Sequence, residues 1–279
     1  MNQTTVNPLK RHPLAFFFLL AFSMAWIPLA LGYRFPRGQG IFFGIAFFAP
    51  AIAAIIMAAA VEGKAGIKAL ISKLFLWQVN FKWYLMALLA PIAMELLAIL
   101  TYKLFGETIS SLSFTDWIRM LPAQLPGLVL FLLFLVALSS GEELGWRGFA
   151  MPRLQARFGP VWASLILGLL WGSWHLPLFW LPGSSQYGLP VPGFILATIG
   201  FTFIYTCILN GAKGSVLLAS LFHAASNLVL TYGNIISPKV ISDLYFSLPA
   251  LAIVVFIVNA FAGSSGFFRK RSLPDEETA

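Results

Sequence analysis

The sequence predicts an all-α fold: a polytopic bundle of about eight transmembrane helices, with an amphipathic helix on the cytoplasmic interface. Three observations carry this. The 279 residues are 59% apolar and 10% charged, whereas about a quarter of a soluble domain's residues are charged. Several apolar runs reach 18 residues or more, enough to cross the hydrocarbon as helices. The basic residues gather on one side of those runs, as cytoplasmic loops do. A single transmembrane domain over residues 1–279 is expected, because neither an internal repeat nor a composition boundary divides the chain.

The first span, 14–33, is too long for a signal-peptide core and lacks a small-residue cleavage site, so it is expected to be retained. The second runs 41–61. Residues 62–82 are too polar to span. There Ile67, Leu70, Ile71, Leu74 and Phe75 recur at helical spacing, with Lys64, Lys68 and Lys73 mostly on other faces. That pattern predicts a helix lying flat on the cytoplasmic interface, as a linker or as a guide for a lipidated substrate. The third span is 83–105, and 106–123 reads as an external loop with one interfacial turn. The remaining spans are 126–152, 160–181, 192–210, 215–232 and 244–263. The polar tail, 268–279, reads as disordered.

The net charge of +8 follows this topology and is not a nucleic-acid footprint. Thirteen of the eighteen basic residues, among them Lys10, Arg11, Lys82, Arg153, Arg157, Lys213 and Arg269, fall on one side. Arg34, Arg37, Lys103, Arg119 and Lys239 fall on the other. Both termini are therefore expected in the cytoplasm. The single cysteine, Cys207, excludes an internal disulfide and a cysteine metal cluster, and reads as a small buried hydrophobe.

Three acidic residues, Glu95, Glu142 and Glu143, and two histidines, His175 and His223, lie within the spans; His12 belongs to the basic N-terminal flank. An ionisable group costs a few kcal/mol or more to keep at membrane depth, so each is a candidate for function. Glu95 stands apart in PIAMELLAIL and reads as structural. Glu142 and Glu143 are consecutive and point about 100° apart on a helix. Glu143 has Arg147 at i+4, the favourable order for an ion pair. Glu142 has Trp146 at i+4 and is left as a free carboxylate. Gly141, Gly145 and Gly148 form a small-residue strip for close helix approach.

A turn at 156–160 separates this motif from WGSWHLPLF, residues 171–179. Glu142 and His175 lie equally far from its midpoint, so an antiparallel hairpin puts them at one depth, roughly 20–25 Å from the turn. Trp171, at i−4 from His175, shares its face, and Pro177 frees backbone carbonyls. In SLFHAASN, His223 and Asn227 share a face, with Ser220 one turn earlier. Polar glue between helices is the bland alternative for each cluster. Three clusters on three helices at similar depth favour a site.

The EExxxR, aromatic-xxx-His and HxxxN motifs, here Glu142–Arg147, Trp171–His175 and His223–Asn227, resemble those of the type II CAAX prenyl endopeptidases. They resemble equally their bacterial relatives, the CAAX-protease and bacteriocin-processing family. The likeness rests on residues 141–227, inside the core 126–232, with Trp171 where Phe is common. It implies an intramembrane endopeptidase that acts near the C-terminus of a lipidated, CAAX-type protein or peptide. Carried over residue by residue, Glu142 and His175 activate a water, His223 and Asn227 stabilise the oxyanion, and Glu143 and Arg147 hold the site together; Trp171, by its spacing from His175, is a structural support that walls the pocket. Desolvation and fixed donors suit such roles.

No cofactor is required by that reading. Glu142, His175 and His223 also compose a two-histidine, one-carboxylate zinc set, the second reading, although no HExxH helix is present. Membrane lipid and a lipidated protein or peptide are the expected partners. Bacteriocin processing, a non-enzymatic immunity or scaffold protein, and a secondary transporter are the competing functions. The transporter reading lacks an inverted repeat and matched broken helices.

Overall fold

A chain in hydrocarbon must satisfy its own backbone, and the computed structural model does so with helices, without a strand among the described residues, 7–104 and 114–236. After a single turn at Pro8–Arg11 come α1, Pro13–Arg34; α2, Gln39–Ser72; α3, Phe81–Leu104; and α4, Phe114–Glu143. A π-helical segment, Leu144–Ala150, leads directly into α5, Met151–Trp174. A 3₁₀ turn, Leu176–Trp180, precedes α6, Val191–Gly211, and α7, Val216–Ile236.

The first seven predicted spans fall on these helices. The eighth, 244–263, and the tail, 268–279, lie outside the described residues. Five stretches are long and apolar enough to cross a membrane. The fourth of them, Gln124–Trp180, carries two predicted spans, because α5 breaks at Gly159, inside the expected turn. Gly159 has φ +76°, which favours glycine.

Large apolar side chains face outward along the spans, Leu19, Ile27, Leu89, Leu96, Leu130 and Leu169 among them. The interior uses small residues instead. Phe17, Ala21, Ala25 and Leu29 form one stripe of α1 and meet Ala46, Ala49, Ala53 and Met57 of α2 in the same core. Close helix approach of this kind is how bundles pack without help from the hydrophobic effect.

The interfacial helix departs from expectation in its partners. Gly63, at φ +68°, breaks α2, and the helix that follows continues into a 3₁₀ turn, Lys73–Phe75. Leu70 is buried and Ile67 and Leu74 pack on the protein core, while Ile71 and Phe75 point outward. Lys73 Nζ donates to the Gly148 carbonyl at 2.7 Å, and Arg153 pairs with Glu62. This helix is therefore docked on the bundle as well as amphipathic. Two further boundaries move. The expected loop 106–123 is helical from Phe114, and the span expected over 160–181 ends at Trp174, before Pro177.

Candidate active site

The EExxxR motif sits where α4 changes pitch. The Met151 amide reaches back five residues to the Trp146 carbonyl, the bond that defines a π turn. This stretch also passes very close to α2. A Cβ on Gly145 would lie 2.5 Å from the Pro50 carbonyl oxygen, and one on Gly141 would lie 2.6 Å from the Phe48 ring. The glycine strip is thus a helix-contact surface. Trp146 turns inward, edge-on to Phe17 and to Trp174, leaving its neighbours for polar contacts.

Glu143 and Arg147 form the expected i,i+4 pair, 3.1 Å apart, with both side chains at 0% exposure. The pair is the centre of a larger cluster. His223 Nδ1 lies 2.7 Å from the same Glu143 oxygen, and because a carboxylate only accepts, this nitrogen carries the proton. Arg147 Nη2 donates to Thr202 Oγ1 at 3.3 Å, and the guanidinium lies 3.6 Å from the Tyr205 ring centroid and 4.3 Å from that of Trp171. Cation–π contact with two rings that stand at 87° to each other suits guanidinium, which is weakly hydrated.

Glu142 is buried and makes no ion pair among the described residues. It is not without a partner, however. Trp171 Nε1 donates to its Oε2 at 2.8 Å, so the residue expected on the face of His175 as a support also binds the carboxylate.

His175 stands at the C-cap of α5. Ahead of Pro177 the helix tightens, and the His175 amide turns to the Gly172 carbonyl at 3.2 Å. The Trp171 carbonyl is taken by the ring instead: His175 Nδ1 donates to it at 2.8 Å. That contact fixes the tautomer, leaving Nε2 as the basic nitrogen. The Trp174 carbonyl is capped by Trp26 Nε1 at 2.9 Å.

Glu142, Trp171, His175, His223 and Asn227 line one cavity of about 430 Å³. Its other walls are mostly apolar, with Phe43 and Phe47 of α2, Phe194 and Phe201 of α6 and Leu230 of α7. The volume lies within the range of small-molecule sites. Ser220 is not on this wall and accepts from Ser140 Oγ at 3.3 Å; Ser226 Oγ bonds the Phe222 carbonyl. Neither serine has an arranged base. Cys207 is buried, as expected.

Sequence reasoning missed Thr202 and Tyr205, which hold Arg147. The signal was present, since Thr198, Thr202 and Thr206 recur every four residues and mark one polar stripe on α6. Thr198 Oγ1 bonds the Gly168 carbonyl at 3.1 Å, and Thr206 Oγ1 meets Ser164 Oγ at 2.8 Å.

The residues weighed for zinc do not assemble as a ligand set. Among the described residues, no three His, Cys, Asp or Glu side chains converge on one point. One Glu142 oxygen is bound by Trp171.

A mostly apolar cavity inside a membrane bundle, lined in part by ionisable groups, marks an intramembrane functional site. Comparison with known proteins supplies the class. Residues 122–229 match the family model described as type II CAAX prenyl endopeptidase Rce1-like. The chain is 33% identical over 224 residues to CAAX prenyl protease 2 of Methanococcus maripaludis, covering 76% of this chain and 78% of that protein. It is 24% identical over 212 residues to lysostaphin resistance protein A of Staphylococcus haemolyticus, covering 72% of this chain and about half, 53%, of that relative. The chain belongs to the type II CAAX prenyl endopeptidase family and is a membrane-embedded peptide hydrolase.

Proposed function

We propose that this protein is a CAAX prenyl endopeptidase that hydrolyses a peptide bond near the C-terminus of a prenylated protein or peptide, within the membrane. The observation that carries the reading is the shared cavity: the Glu142 carboxylate, the His175 and His223 imidazoles and the Asn227 carboxamide all line one space whose other walls are mostly apolar. The name of the Methanococcus maripaludis relative supports the substrate class. The proposed domain is the whole chain, 1–279, with a catalytic core over 126–232 and both termini in the cytoplasm, as the basic loops favour.

With Oε2 held by Trp171, the other oxygen of Glu142 takes a proton from water as the water attacks the scissile carbonyl. The basic Nε2 of His175 holds that water from its other side. The carbonyl oxygen becomes an oxyanion, stabilised by the Asn227 amide and by His223 Nε2–H in the imidazolium form, with Glu143 as counter-ion. Protonated Glu142 then gives its proton to the leaving amine, and the C–N bond breaks. Arg147 keeps Glu143, and through it His223, in place. No covalent intermediate is needed.

Cleavage of a fluorogenic farnesylated CAAX peptide by purified protein in detergent tests this. Glu142→Ala is expected to abolish cleavage, and wild-type activity is expected to survive a strong zinc chelator. Well-folded wild type that cleaves no prenylated peptide would overturn the substrate class. The name of the Staphylococcus haemolyticus relative, a resistance protein, supports a second reading as an immunity protein; a non-enzymatic protein of that kind would keep its cellular phenotype in Glu142→Gln.

A further inference from the structure

One side chain outside the proton-transfer steps touches most of the groups that take part in them. Trp171 lies at 6% exposure. Its Nε1–H reaches Glu142 Oε2 at 2.8 Å, its carbonyl accepts from His175 Nδ1 at 2.8 Å, and its ring lies beside Arg147. The ring is also edge-on to His223, with centroids 5.9 Å apart. A phenyl ring here could supply the packing, but not the N–H.

We propose that Trp171 is a positioning residue for water activation, acting through Glu142 and His175. A carboxylate with both oxygens free can rotate about its last bond. With Oε2 tied to the indole, the remaining oxygen has a set direction. The Trp171 carbonyl does the same for His175, because it takes Nδ1 and leaves Nε2 for the water. One residue therefore sets the geometry of both groups proposed to hold the attacking water. Misplacement of such groups by about 1 Å costs about a hundredfold in rate. The inference rests on the reading of Glu142 as the base.

Trp171→Phe keeps a ring beside Arg147 and deletes the N–H. Its kcat is expected to fall about tenfold to a hundredfold, the range for a hydrogen bond to a charged group, with KM within about twofold of wild type. A simple wall of the pocket would raise KM instead, and a purely structural residue would lower the folded fraction without changing kcat per folded molecule. The second readout needs no activity. In protein carrying ¹⁵N-labelled indoles, Trp171→Phe, or Trp171→Tyr should the Phe variant fold poorly, identifies the Trp171 resonance among the nine tryptophans. Glu142→Ala is expected to move that resonance further than the other eight. A folded Trp171→Phe enzyme with kcat within twofold of wild type overturns the proposal. So does a Trp171 resonance that ignores Glu142→Ala. Wild type that cleaves no peptide fails the proposed function, and the resonance still decides whether the indole holds the carboxylate.

Discussion

Arg147→Met removes a cation whose side chain has 0% exposure and replaces it with an apolar chain of similar length. At 3.1 Å and an effective dielectric of about 20, its attraction to Glu143 is about 5 kcal/mol before desolvation is subtracted. The variant leaves the Glu143 carboxylate buried, with His223 Nδ1 still on the shared oxygen. Breaking a buried pair from one side costs about 3–5 kcal/mol. For a chain of this size that is roughly 6–20 °C in thermal midpoint. The assay is thermal unfolding in detergent, followed by tryptophan fluorescence, for Arg147→Met, Glu143→Gln and the double variant. The double variant removes both charges and is expected to recover at least half of the loss of the worse single variant, since most of the penalty comes from the charge whose ion-pair partner is removed. An Arg147→Met midpoint within about 2 °C of wild type, or additive losses in the double variant, would show that the pair is not the brace described above.

Three further outcomes are expected. Gly145→Ala puts a Cβ 2.5 Å from the Pro50 carbonyl and should lower the midpoint by several degrees, while Gly127→Ala, with nothing within 4 Å, should be neutral or slightly stabilising; equal midpoints would refute the close α2 contact. Asn227→Ala is expected to lower kcat for the farnesylated peptide about 10²–10³-fold with little change in KM, and a loss confined to KM would remove Asn227 from the oxyanion role. Ser185, exposed on the cavity lining, lies beyond the α5 end remote from Arg157. With both termini cytoplasmic, Ser185→Cys should react with a membrane-impermeant maleimide added to intact cells, against a low background because Cys207 is buried. Labelling that needs the membrane to be opened first would reverse the topology.

Much of the site was legible because ionisable residues stand out in apolar runs. Glu142, Glu143, Arg147, His175 and His223 were visible for that reason, and i,i+4 spacing was enough to pair Glu143 with Arg147. The contact of His223 with Glu143 joins residues 80 apart, and no local pattern encodes it. Tyr205 was invisible because one tyrosine in an apolar helix carries no charge signal, although it lies 3.6 Å from the guanidinium. The π turn was hidden because it is a change of backbone pitch, made where glycines let α2 press in. The end of α5 at Trp174 was readable from Pro177, but the apolar residues after it masked the stop. Burial of Leu70 separates a docked helix from one floating on lipid, and composition cannot tell these apart.

Irregular backbone surrounds these residues, and side chains there quench it. The Trp171 carbonyl, no longer met by the His175 amide, is closed by the His175 ring; the Gly148 carbonyl takes Lys73 and the Phe149 carbonyl takes Arg153. Active-site groups in many enzymes are tolerated at a loss of stability, so deleting them makes the protein sturdier. Here deletion of His175 strands a carbonyl in a low-dielectric interior, and the inactive protein should be the frailer one. An inactive form for trapping a bound peptide is therefore better made at Glu142, whose loss frees an indole N–H on the cavity wall, than at His175, whose loss opens the end of a helix.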